Sequence, residues 1–151
     1  MPSRKSEERE QEYAELGAFM SFWSTHVHRI DAASPSHPVN VLHRIAEKYG
    51  TRRALEGLRQ AVNDTIEDTA DYPRDTVWEM DRILGSVGLV SLSELRRRYS
   101  SQYRRILRNG LIRNDTEYYL IAGILADTTS RISDAERAAL EEMSAAYGGS
   151  T

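Results

Sequence analysis

The sequence predicts an all-α protein: a single compact domain of about seven helices, bundle-like or orthogonal in packing, with a long N-terminal helix. Three observations carry that expectation. Apolar residues recur at spacings of three and four through most of the chain. Helix-start signals of the type Ser/Asn-x-x-Glu stand at Ser91, Asn114 and Ser133. Prolines, and several of the glycines, fall where the periodic stretches end.

The first helix is read from Tyr13, Leu16, Met20, Trp23, Val27 and Ile30, which share one face. The pattern is shorter than the ~3 heptads a free coiled coil needs, so it reads as a bundle helix. Residues 1–6 are expected as a disordered N-terminal tail, 7–147 as the helical domain and 148–151 as a disordered C-terminal tail. Asp31 to Pro38 is a loop. Pro38 suits the first turn of a second helix, which carries Val41, Leu42, Ile45 and Tyr49 and stops at Gly50. Thr51 then caps a third helix with Leu55, Leu58, Val62 and Ile66 on its core face, ending by about Asp71 ahead of Pro73. Asp75 is the expected cap of a short fourth helix bearing Val77, Met80, Ile83, Leu84 and Val87.

Ser91-Leu92-Ser93-Glu94 is a capping box, with Val90 and Leu95 placed as a hydrophobic staple. The fifth helix continues from it through Tyr99, Tyr103 and Ile106 to Asn109-Gly110. Boxes at Asn114–Glu117 and Ser133–Glu136 open the sixth and seventh. Residues 111–121 also fit a hairpin, since β-branched and aromatic residues flank Asn114-Asp115. The helix is preferred because Glu117 completes its box.

Composition removes several function classes. With 20 Lys+Arg against 23 Asp+Glu, the net charge of −3 opposes nucleic-acid binding driven by global charge, though not a local basic patch. The chain has no cysteine, hence no disulfide, thiolate nucleophile or thiolate metal site. The N-terminus is polar throughout and unlike a secretory signal. The longest apolar run, Leu120 to Ala126, is far below the ~20 residues a membrane helix needs. A cytoplasmic protein without membrane contact is expected. Phosphate-cradling glycine loops, a nucleophile elbow and paired zinc histidines are missing from the sequence, so the expectation is a non-enzyme without a cofactor or metal. The nearest thing to a metal-ligand set is His26, His28 and Asp31 with His43 and Glu47, read as solvated side chains.

Two segments resemble nucleic-acid-binding folds. Ile45 to Leu55, with Ala46 and Gly50 at the usual offset, resembles the turn of a helix-turn-helix unit. It departs from that pattern where Glu56 and Arg59 occupy positions that are normally apolar. The arginine-rich helix followed by Asn109-Gly110-Leu111-Ile112-Arg113 is similar to the end of a winged-helix domain, in which a hairpin follows the recognition helix. That resemblance implies a transcriptional regulator using Arg97 to Arg113, with Asp115 and Glu117 placing acid on the wing.

The most informative feature is electrostatic. On a continuous fifth helix, Arg97, Arg104 and Arg108 fall in one sector flanked by Arg98 and Arg105, opposite Leu95, Tyr99 and Ile106. On the third, Asp64, Glu67, Asp68 and Asp71 gather opposite Leu58, Val62 and Ile66. Surface helices usually intersperse signs, because like charges at i,i+4 are unfavourable. Arginine at every basic position suits carboxylate or phosphate better than lysine would. The leading expectation is therefore a non-catalytic interaction or regulatory module that binds either a protein partner or a second copy of itself, as a homodimer, through these acidic and arginine-rich surfaces. Solvated faces are the plain alternative.

Overall fold

The computed structural model describes residues 3–149, and every regular element among them is helical. In order these are α1 (Arg4–His26), α2 (Pro38–Tyr49), α3 (Thr51–Asp68), α4 (Arg74–Ser86), α5 (Leu92–Tyr99), α6 (Ser101–Asn109), α7 (Asp115–Ala126) and α8 (Asp134–Gly149). The fold is all-α, and eight helices replace about seven because the expected fifth is two. Contacts group the chain into two compact units, Met1–Thr65 and Ile66–Thr151.

In the first unit α1 starts at Arg4 rather than near Glu7, because Ser3 caps it, its Oγ accepting from Ser6 N–H at 3.1 Å. Residues 3–6 are therefore ordered by the helix, while residues 1–2 of the expected tail lie outside the described ones. The helix also ends sooner than its apolar pattern. Val27 and His28 N–H both turn back to the Trp23 carbonyl, at 2.9 and 3.1 Å, and Arg29 takes a φ of 57°. Val27 and Ile30 thus belong to the loop.

That loop is tied to α2 by its own side chains. Asn40 donates to the Ala32 and Ser34 carbonyls at 2.7 and 2.9 Å, and Arg44 donates to the Pro35 carbonyl at 2.7 Å. His37, 1% exposed, accepts from Val39 N–H through Nδ1 at 3.3 Å and so caps α2. Its Nε2 then carries the proton and donates to Thr25 Oγ1 at 3.0 Å, pinning the loop to α1. Replacing His37 by Ala removes both bonds and is expected to cost about 1–2 kcal/mol in urea denaturation, with Asn recovering the cap but not the Thr25 bond. Gly50 separates α2 from α3 at φ 96° and ψ 161°, a backbone that disfavours any side chain.

In the second unit α7 is the central helix, packing on α4, α5, α6 and α8. Tyr103, Ile106, Ile112, Leu120, Ile121, Ile124, Leu140 and Met143 form one buried cluster there. Three expectations change. Asp75 does not cap α4; Pro73 precedes it and Asp75 sits in the first turn, where its charge suits the helix dipole. The expected fifth helix breaks at Ser100, which is extended (φ −72°, ψ 124°) and whose Oγ accepts from Tyr103 N–H at 3.2 Å to open α6. Residues 111–121 form no hairpin; Asn114 Oδ1 accepts from Glu117 N–H at 2.9 Å and α7 follows. The winged-helix resemblance therefore loses its wing. At the C-terminus α8 continues through residues 148–149, which were expected as tail, and residues 150–151 lie outside the described ones.

Candidate functional site

All three capping boxes form their first half only. The Glu94, Glu117 and Glu136 N–H groups donate to Ser91, Asn114 and Ser133 at 2.9, 2.9 and 3.1 Å. Each Glu carboxylate, however, goes elsewhere. Glu117 turns to Arg113, accepting its N–H at 2.9 Å and its guanidinium at 3.2 Å. Glu94 and Glu136 instead build a polar network inside the second unit.

Glu94, 2% exposed, is its hub. Arg97 grips the carboxylate with Nε and Nη2 at 2.8 and 2.7 Å, and Arg98 Nε adds a bond of 2.7 Å. The Ser130 hydroxyl and Arg131 N–H donate to the same carboxylate at 3.1 and 3.4 Å. Burial pushes this carboxyl up, but the two guanidiniums outweigh it and hold the pKa at about 2. Arg97 also reaches Glu136 at 3.4 Å, and Glu136 accepts from the buried Tyr103 hydroxyl at 2.7 Å. Burial and the Glu136 carboxylate both push the Tyr103 phenol upward.

Two serine–aspartate pairs lie beside this network. The Ser93 hydroxyl and N–H donate to Asp81, and the Ser91 hydroxyl donates to Asp127, which also accepts from Thr129 N–H at 3.0 Å. Burial raises the Asp81 carboxyl against the lowering hydrogen bonds from Ser93, with Asp127 adding to the rise. Each hydroxyl gives its proton to a carboxylate that is itself held by other donors. These hydrogen bonds tie α5 to α4 and to the α7–α8 loop.

Two open clefts of about 490 and 670 Å³ flank α4, sharing Arg74 and Gly123 in their walls. The larger carries the exposed Trp78 with Arg82 and Asp81. The smaller is lined by Arg96, Tyr72, Tyr119 and Thr116 among others.

The sequence-predicted basic residues part company. Arg97 and Arg98, expected to face water, are drawn inward by Glu94, and their side chains keep 17% and 19% exposure. Glu94 sits one turn before both within α5, and the Ser100 break separates α5 from α6, so no single stripe remains. Arg104, Arg105 and Arg108 remain on the outer face of α6, exposed and without a carboxylate partner among the described residues. Leu107 and Leu111, 38% and 51% exposed, stand among them, an apolar element that the sequence reading passed over. The acids Asp64, Glu67, Asp68 and Asp71 are all exposed, with Asp64 accepting from the Gln60 amide at 3.0 Å. His26, His28, Asp31, His43 and Glu47 are not brought into any cluster able to hold a metal ion among the described residues. No helix among the described residues is long and apolar enough to cross a membrane.

Arg96 is the residue that the charge pattern missed. It shares the Leu92 face of α5, one turn on, and that spacing is the signal that places it inward. Comparison with family models, curated proteins and solved structures found no match to this chain.

Proposed function

We propose that this protein is a non-catalytic helical interaction module whose contact surface is the outer face of α6. The observation that carries the reading is the set Arg104, Arg105 and Arg108, exposed and without an ion-paired carboxylate among the described residues, Arg105 alone lying in the field of Glu117, interleaved with exposed Leu107 and Leu111. Arg104 and Arg108 are one turn apart, so they repel each other and stand to gain from an acidic surface laid across them. Arginine is enriched at interfaces and the exposed leucines add apolar surface to bury, whereas a solvated face favours lysine and interspersed acids. The acids Glu67, Asp68 and Asp71 of a second copy supply the complementary charge, which supports self-association. The same reading places the module in the cytoplasm, which a cysteine-free chain fits.

The test replaces Arg104, Arg105 and Arg108 together by Gln. All three are exposed, so folding stability is expected to change by less than about 1 kcal/mol. Sedimentation equilibrium is expected to show the wild type associating more weakly as salt rises, and the triple variant monomeric. A wild type that stays monomeric yet binds duplex DNA, with a salt slope that the triple variant lowers by up to about three units, would point to the regulator alternative instead.

A further inference from the structure

Arg96 is 8% exposed, and its guanidinium donates through Nη2 to the Thr69 carbonyl and hydroxyl, at 2.6 and 3.4 Å. No carboxylate pairs with it among the described residues. Asp81 acts on it only through its field, and burial pulls its pKa down. An arginine cannot escape burial by losing its proton, so an enclosed guanidinium without a counter-charge is costly. Its Nε and Nη1 find no acceptor among the described residues. Neither is among the sealed unpaired atoms, so both open to solvent-accessible space. The opening that Arg96 lines is the 490 Å³ cleft, with Arg74 on the opposite helix. Arg74 likewise has no acidic partner among the described residues. The other walls combine Tyr72, Tyr119 and Leu120 with the Thr116 hydroxyl, and the volume is that of a small-molecule pocket.

We propose that this cleft binds a small organic oxyanion, a phosphate ester or carboxylate, with its anionic head between Arg96 and Arg74 and a flat apolar body against Tyr72, Tyr119 and Leu120. Both paired edges of a guanidinium include Nη2, which Thr69 holds, so Arg96 offers the head single charge-assisted N–H donors rather than a fork. Asp71, an exposed carboxylate on the same wall, opposes the head's charge, and the two arginines outnumber it.

The experiment titrates the full chain with phenyl phosphate, benzoate and inorganic phosphate, reading the Arg96 Nε–Hε resonance by NMR. A saturable shift with a dissociation constant of about 1 mM or tighter is expected for phenyl phosphate or benzoate, and which one binds assigns the head group. Inorganic phosphate is expected to bind at least about tenfold more weakly, lacking the apolar body. Arg74→Gln alters an exposed side chain on a folded protein and is expected to weaken binding by about tenfold. Arg96→Lys, read instead from the Tyr119 and Thr116 backbone amides that line the same cleft, keeps the charge but loses the planar donors and is expected to weaken it further. If no probe moves the Arg96 resonance at about ten times that concentration, the site does not exist. If inorganic phosphate binds as well as phenyl phosphate, or Arg74→Gln changes nothing, the assigned pose is wrong.

Discussion

Glu94→Ala is expected to destabilise the second unit by about 3–5 kcal/mol, the range for leaving buried charges without their partner. The substitution strands Arg97 and Arg98 and removes the acceptor of the Ser130 hydroxyl and Arg131 N–H. The same residue fixes an acid limb. Its folded pKa of about 2 lies below the ordinary 4.5, so the folded state holds the carboxylate more tightly than the unfolded chain does. The resulting stability is fully present above about pH 4.5 and is lost as pH falls from there toward about 2. It amounts to about 3 kcal/mol, an upper figure because both arginines still touch water. Urea denaturation across that range is expected to show a steep fall for the wild type and a shallower one for Glu94→Gln. Equal slopes would mean that Glu94 is not held by its arginines.

Tyr103 gives the second large effect, and two substitutions divide its roles. Tyr103→Ala opens a cavity in the cluster with Ile106, Ile121, Ile124 and Leu140, and is expected to cost about 3–5 kcal/mol. Tyr103→Phe keeps the ring and loses only the bond to Glu136, which is partly solvated and still faces Arg97. Its expected cost is about 1 kcal/mol. Similar losses for both variants would mean that the hydroxyl, rather than the packed ring, holds α6 in place.

What the sequence made legible here was local. The cap serines and asparagine need only a backbone N–H three residues on, so Ser91, Asn114 and Ser133 act as read. The return half of each box is a competition. A glutamate carboxylate chooses between its own N-cap amide and any donor the fold brings near, and for Glu94 and Glu136 the guanidiniums and the Tyr103 hydroxyl win. The break at Ser100 was hidden for a related reason. Leu95, Tyr99, Tyr103 and Ile106 keep helical spacing across it, so periodicity runs on where the backbone does not. With the break went the continuous arginine stripe, of which only the α6 half faces water. His37 was passed over because its partners, Thr25 and Val39 N–H, declare themselves only once the loop has folded back.

A charge-exchange experiment tests the α6 interaction surface most directly. One variant carries Arg104→Glu, Arg105→Glu and Arg108→Glu; the other carries Glu67→Lys, Asp68→Lys and Asp71→Lys. Each has lost one side of the contact between copies. Sedimentation equilibrium is expected to find each variant monomeric alone and the equimolar mixture associating at least as strongly as the wild type, because mixing restores opposite charges across every contact. A wild type that remains monomeric, or a mixture that stays as dissociated as its components, would contradict the assignment of the α6 face to an acidic surface of a second copy.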